Sequence, residues 1–414
     1  MDWNLELGFV AIGTFVLIGL FLASVILLVR AKLVSTALCK IRINEDSVIE
    51  TPGGSTLLNV LLQQKIPIPS PCGGKATCKQ CKVRVVAGGG AILETDKSTF
   101  SKKELDAGWR LSCQCKVRGD LRVAIPHEHL EVKEFVGKVV SNHNVATFIK
   151  ELVVELPEDL EYASGAYLLF HVPKFSTESD RWMETMDPMF HGDWAKLGLL
   201  GQKIAFSEEC TRAYSMASFP AEGRLVRFNI RIASPPKAKV PWGVCSSYAF
   251  SLKPGDSVRL SGPYGESFMR KGDSPVVFLI GGAGSSFGRS HILHLFNSDK
   301  TDRQVDLWYG ARSLKENIYE DEYRALAAKH PNFSYHLVLS EPLPEDKWPT
   351  KAEDPVQTNF LFKAFELGQL SKMKAPEDCL YYVCGPPMHN KSIMKLLDDY
   401  GVARENIVLD DFGN

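Results

Sequence analysis

The chain has 414 residues, 45% of them apolar, and a formal net charge of −1 from 48 Lys and Arg against 49 Asp and Glu. That length exceeds one ordinary core and predicts roughly two to four domains. The near-neutral balance removes the case for nucleic-acid binding by bulk electrostatics.

Residues 7–29, LGFVAIGTFVLIGLFLASVILLV, contain no charge. As a helix they would span about 34 Å at ~1.5 Å per residue, enough for a ~30 Å hydrocarbon layer. Asp2 and Glu6 precede the run, while Arg30, Lys32, Lys40 and Arg42 follow it. A cleavable leader has the opposite flanks and a shorter apolar stretch. The expectation is one transmembrane helix with everything after Val29 on the cytoplasmic side. The span holds no ionisable residue, so it offers no ion path of its own.

A cytoplasmic chain with ten cysteines points to metal or catalysis before disulfides. The segment PCGGKATCKQCKV sets Cys72, Cys78 and Cys81 at spacings x5 and x2, and Cys113 follows in RLSCQC. Zinc sites usually bring two knuckles. One knuckle, one outlying cysteine and one distant cysteine lie closer to the plant-type [2Fe–2S] spacing, with one extra residue in the first gap. Zinc and structural thiols remain alternatives on spacing alone. Cys115 competes with Cys113 as fourth ligand, though RLSCQ favours Cys113. Cys39 reads as structural. Strand-like KIRINEDSVIETPGG, helical STLLNVLLQQ with Ser55 as N-cap, CKVRVVAGGG and LRVAIP frame a small β-rich domain over residues 36–130.

Beyond it, EFVGKVVSNHNVATFIKELVVELP and YLLFHVP read as short strands of an antiparallel barrel, residues 131–268. KFSTESDRWMETMDPMFHGDWAKLGLLGQK is long for a connection and reads as an insertion and a docking surface. In TRAYSMASFP, strand alternation sets Arg212 and Tyr214 on one face and Ser215 on the other. An arginine suits a pyrophosphate, a tyrosine can cover a flat ring, and a serine can hydrogen-bond a ring edge. Gly243, Ser246 and Ser247 stand where a helix begins, a place suited to an anion.

Residues 269–414 read as a doubly wound α/β domain. PVVFLIGGAGSSFGRSHILHLF is strand, glycine turn and helix, with Gly282 and Gly284 in the turn. CLYYVCGPPMHNKSIMKLLDDYG repeats the pattern, with Cys384 and Gly385 at the strand end. Cys384 reads equally as a buried strand-end residue or as a polarisable group against a ligand. Phe412, in VLDDFGN, reads as packing or as a ring cover.

Taken in this order, the anchor, cysteine loop, RAYS, G-x-x-S-S, GGAG and CGPP resemble the F subunits of Na+-translocating NADH:quinone reductases over nearly all of the chain. NHNVATFIKELVVELP, YGARS, CGPPM and LDDFG carry the resemblance most specifically. It implies FAD, one [2Fe–2S] cluster and NADH as donor, with a β-grasp ferredoxin-like domain ahead of a ferredoxin-reductase-like pair, an antiparallel β-barrel FAD domain and a doubly wound α/β NADH domain. It further implies partner subunits in a bacterial inner-membrane complex that carry electrons on to ubiquinone and move Na+. On that resemblance Cys72, Cys78, Cys81 and Cys113 match the cluster ligands, and Arg212, Tyr214 and Ser215 the flavin motif. Gly243, Ser246 and Ser247 match the pyrophosphate site, and Cys384 and Phe412 the hydride-transfer face. One departure is Phe287, where related reductases carry proline, which bears on pyrophosphate contact. Arg312 in YGARS leaves NADPH open as donor, and Lys75, Lys79 and Lys82 are a docking patch or a solvated surface. Three other readings stay open: the reductase component of an oxygenase, a zinc-stabilised membrane adaptor without catalysis, and a thiol redox sensor.

Overall fold

The structure is a computed structural model describing residues 12–25, 38–44, 47–64, 66, 68–70, 72–125, 133–235 and 240–411. It divides into two compact units, Met1–Pro69 with Gly74–Glu131, and Ser70–Gly73 with Val132–Asn414. Residues 12–25 are helical and expose their apolar side chains, Phe15 at 80% and Leu17 at 69%. Among the described residues no helix is long and apolar enough to cross a membrane. The remainder of the expected span, 7–11 and 26–29, lies outside the described residues.

The first unit is a five-stranded mixed sheet in the order β2-β1-β5-β3-β4. Its strands are β1 (Leu38–Ile43), β2 (Ser47–Pro52), β3 (Lys82–Ala87), β4 (Trp109–Leu111) and β5 (Leu121–Ala124). Alternation places Cys39, Ile41 and Ile43 of β1 inward. They meet Leu57, Leu58, Val60 and Leu61 of the helix Leu57–Gln63. Thr56, not Ser55, caps that helix, its hydroxyl accepting from Asn59 N. Ser55 instead lends its carbonyl to Val117 N.

The second unit begins with a six-stranded antiparallel sheet ordered β11-β8-β13-β6-β7-β12. Its strands are β6 (Lys133–Ala146), β7 (Ile149–Glu155), β8 (Tyr167–Val172), β11 (Cys210–Ser215), β12 (Leu225–Arg231) and β13 (Ser257–Tyr264). The sheet curls until Ala217 N, just past β11, donates to Arg227 O of β12 at 2.7 Å. The stretch expected to form a docking insertion is instead part of this core. Strands β9 (Phe175–Glu178) and β10 (Lys203–Phe206) pair with each other. Trp182, Phe190 and Trp194 between them are buried among the barrel side chains. Trp182 and Trp194 meet edge to face at 5.8 Å, and Trp194 Nε1 donates to Thr147 O at 2.7 Å.

The last layer is a parallel sheet ordered β16-β15-β14-β17-β18. It comprises β14 (Val276–Gly281), β15 (Val305–Ala311), β16 (Phe333–Leu339), β17 (Leu380–Cys384) and β18 (Ile407–Leu409). Strand order reverses between β14 and β17, and a parallel sheet opens its ligand crevice at such a point. Burial on both faces explains the unbroken apolar run of β14.

Barrel and parallel sheet meet at Arg289, on the helix Ser285–Leu293. It donates to Glu322 Oε2 at 2.7 Å, Glu222 Oε2 at 3.0 Å and Ala217 O at 2.8 Å. Nearby, Asn229 of β12 donates through its N to Ser286 Oγ and through Nδ2 to Ser285 Oγ. Arg289→Met should leave Glu322 without its cation and Glu222 with Arg227 alone. Removing one partner of a buried ion pair costs about 3–5 kcal/mol; a third of Glu322 is exposed, so about 2–3 kcal/mol is expected here. Calorimetry should show that loss, with part of it recovered on adding Glu222→Gln and Glu322→Gln.

Candidate functional site

Ser215 ends β11 of the barrel, Cys384 ends β17 of the parallel sheet, and Asp410 follows β18. The fold brings all three together at one end of the parallel sheet. Ser215 Oγ donates to Asp410 Oδ2 at 3.0 Å, and Cys384 Sγ lies 3.9 Å from the same oxygen. Asp410 N is tied to Val383 O, which fixes the carboxyl beside the strand end. Burial pushes the Asp410 carboxyl up to about 7, against the stabilising bond from Ser215. Burial, with Asp410 beside it, pushes the Cys384 thiol well up, so it stays protonated. The group is a neutral, polarisable thiol and a hydroxyl sharing one carboxyl that changes protonation near neutrality. Nothing in the sequence singles out Asp410, which reads there as one of several tail acids.

Glycines surround these groups. Gly282 has φ +56 in the turn after β14. A Cβ on Gly284 would fall 2.4 Å from Cys384 O, and one on Gly385 would fall 2.6 Å from His389 Cδ2. A side chain at either position would displace its neighbour, so the turns that follow β14 and β17 pack closely against each other at the switch point. Phe287 is fully buried, its ring against His291 at 4.6 Å. The departure from proline therefore serves core packing.

Gly243 caps the helix Val244–Ser251, and a Cβ there would fall 2.6 Å from Ala233 Cβ. Ser246 is less available than its motif implies: its hydroxyl accepts from Ala233 N and donates to Gly243 O. Ser247 Oγ is buried and has no hydrogen-bond partner. Tyr214 packs edge-on against Phe170 at 5.0 Å, and Arg212 Nη1 bonds Thr211 O. Arg312 pairs with Glu341 at 2.7 Å. Phe412 lies outside the described residues.

In the first unit, Ala76 and Lys79 on either side of Cys78 have positive φ, as does Gly74 before them. Such a winding turns backbone N–H groups into a concavity. Cys81 and Cys113 are buried and adjacent. The hydrogen bond with Cys113, then burial, pushes the Cys81 thiol far up. Two such sulfurs ionise together only beside a cation, which is the condition a metal satisfies. Gln114 Nε2 donates toward Cys113 Sγ at 3.6 Å, and Ser112 Oγ is buried without a partner. Among the described residues no three His, Cys, Asp or Glu side chains converge on a single ion position. A two-iron cluster instead spreads its cysteines over two metals. Cys115 is buried, its thiol pushed up to about 11 by burial. Lys79 Nζ is engaged by Ser98 O at 2.9 Å.

The raised carboxyl of Asp410 sets the sign of a pH effect. Below about pH 4, Asp410 is protonated in both folded and unfolded chains; as pH rises toward about 7 only the unfolded chain ionises. Stability relative to Asp410→Asn should therefore fall across that window and level off above it. Paired unfolding curves at pH 4 to 8 test this, and a parallel course of the two proteins contradicts it.

A family model for a 2Fe-2S iron-sulfur cluster binding domain matches residues 39–118, and one for an oxidoreductase NAD-binding domain matches residues 278–393. Among solved structures, an Amycolatopsis cytochrome P450 reductase shares 20% identity at a TM-score of 0.61, covering 90% of this chain and 98% of that one. A ferredoxin reductase in carbazole 1,9a-dioxygenase shares 19% at 0.56, covering 91% and 99%. These two likenesses speak for the fold alone. The F subunit of the Na(+)-translocating NADH-quinone reductase of Chlamydia pneumoniae is 55% identical over 433 residues, with all of both chains covered. That of Pseudomonas aeruginosa strain UCBPP-PA14 is 44% identical, covering 98% of each. The chain thus belongs to the family of F subunits of the Na+-translocating NADH-quinone reductase, an oxidoreductase.

Proposed function

We propose that this chain is the electron-entry subunit of its complex, taking a hydride from NADH onto FAD and passing single electrons through a [2Fe–2S] cluster toward partner subunits and ubiquinone. When bound, FAD accepts the hydride and releases its electrons singly, which a one-electron cluster requires. The carrying observation is the meeting of Ser215 with Asp410 and Cys384 at the strand-order switch of a parallel sheet.

Each side chain has a task there. Gly284 and Gly385 let the turns after β14 and β17 close on each other, and Gly282 beside them leaves room for a flat nicotinamide to approach. Cys384 closes the floor as an uncharged, polarisable surface. Ser215 offers its hydroxyl to the flavin edge. With Asp410 protonated, the carboxyl donates to Ser215 and frees the serine hydrogen; with Asp410 ionised, it takes that hydrogen back. Arg212 and the helix start at Gly243 supply charge and N–H groups for a pyrophosphate, with the orphaned Ser247 hydroxyl beside them. Tyr214 and Phe412 are the proposed ring covers. Cys72, Cys78, Cys81 and Cys113 are the proposed cluster ligands.

Residues 7–29 are the proposed single membrane anchor, holding domains at 36–130, 131–268 and 269–414 on the cytoplasmic face of a bacterial inner membrane. The uncharged run and the exposed apolar side chains of residues 12–25 support this. With no charge in that helix, Na+ movement belongs to the partners. The oxygenase-reductase reading shares this fold, but full-length relatives at 55% identity do not favour it. An adaptor without catalysis leaves the Ser215–Asp410–Cys384 grouping unused.

Cys113→Ser tests the division of labour. The variant should retain NADH-driven ferricyanide reduction through FAD, lose its reduced-cluster EPR signal, and drop to background in quinone reduction by the assembled complex. Quinone reduction at the wild-type rate would overturn the proposed order of carriers.

A further inference from the structure

Two cysteines outside both candidate sites lie against each other. Cys210 opens β11, and Cys245 sits in the first turn of the helix Val244–Ser251. Their sulfurs are 3.2 Å apart, a thiol–thiol hydrogen bond. A disulfide is about 2.0 Å, so closure needs a movement of about 1 Å. The pair is asymmetric in access: Cys210 is partly exposed, whereas Cys245 is buried. It is also asymmetric in acidity. The bond from Cys245, aided by the Arg212 cation, brings Cys210 down to about 7, and the same bond with burial pushes Cys245 up. An accessible thiolate beside a buried thiol is the arrangement of a reactive and a resolving cysteine.

We propose that Cys210 and Cys245 form a reversible disulfide in response to hydroperoxides, and that this disulfide slows reduction of the flavin. The Cys210 thiolate attacks the peroxide, cleaving O–O to give a sulfenic acid and releasing the alkoxide or hydroxide. The Cys245 thiol then attacks that sulfur, forming S–S and releasing water, its proton leaving with the departing hydroxyl. The pair has lost two electrons, and the peroxide has gained them. Two external thiols, or one phosphine, reverse the step.

The consequence follows from where the two sulfurs sit. Arg212 is two residues along β11 from Cys210 and projects from the same face. Gly243, Ser246 and Ser247 flank Cys245. Drawing the strand and helix together displaces the proposed pyrophosphate cradle against the ring motif. A misplacement of about 1 Å can cost on the order of a hundredfold in rate.

The test uses the full-length, FAD-loaded chain in detergent. Samples treated with hydrogen peroxide are alkylated, digested and mapped by mass spectrometry, and NADH-driven flavin bleaching is followed by stopped flow on the same samples. The Cys210–Cys245 crosslink should form, the rate should fall by about tenfold or more, and a phosphine should restore both. Cys245→Ser should keep the untreated rate, form no crosslink, and leave a Cys210 sulfenic acid that dimedone traps. Cys210→Ser should lose the reversible inhibition. The rate readout rests on the proposed flavin role, while the mapped crosslink does not, so the two failures separate. No crosslink under conditions that oxidise other cysteines, a crosslink without a rate change, or equal inhibition of Cys210→Ser would each overturn the proposal.

Discussion

Arg289 holds the barrel onto the parallel sheet, and the chemistry of the second unit depends on that joint. Its guanidinium bridges Glu222 on the barrel side and Glu322 on the sheet side. A further bond runs to the carbonyl of Ala217, two residues past Ser215. The arginine thereby sets the end of β11 relative to the ends of β14 and β17. The glycine turn takes part as well, because Ser285 and Ser286 bond Asn229 of the barrel. Segments that read as a nucleotide motif alone also bear the interface.

With that joint in place, a single carboxyl can serve both halves. Asp410 receives Ser215 from the barrel and faces Cys384 from the sheet, although Ser215 and Asp410 are 195 residues apart. Desolvation holds it near neutrality rather than in the ordinary carboxylate range. A site built this way needs no permanent charge at its floor. The neutral thiol and the serine hydroxyl are in keeping with the proposed flat ring.

Much of this is readable in the sequence because the relevant signals are local. Strand alternation and the apolar run of β14 predict a barrel followed by a parallel sheet, and the glycines after β14 mark its crevice. Ser215 and Cys384 stand in short distinctive motifs. Asp410 is not readable in the same way. It stands beside Asp411 after a short apolar strand, and only tertiary burial separates it from that exposed neighbour. Arg289 is likewise hidden in the helix that follows the glycine turn, where nothing local signals a buried ion pair. The segment from Lys174 to Lys203 reads as an insertion because it is long for a connection and irregular in pattern. Trp182 and Trp194 are buried by tertiary packing against the barrel, not by helical or strand periodicity. Ser246 stands in a motif suited to an anion, yet its hydroxyl closes the turn that makes the helix start.

Electron entry through FAD requires that the two carriers fill in a fixed order. The full-length chain, loaded with FAD and cluster and kept anaerobic, would be mixed with NADH in a stopped-flow cell and sampled by rapid freezing for EPR. The flavin absorbance should bleach first, and the rhombic signal of a reduced [2Fe–2S] cluster should grow at its expense. A cluster signal that precedes flavin bleaching, or bleaching that never yields a cluster signal, would contradict the route from the Ser215–Asp410–Cys384 site to the cysteine loop.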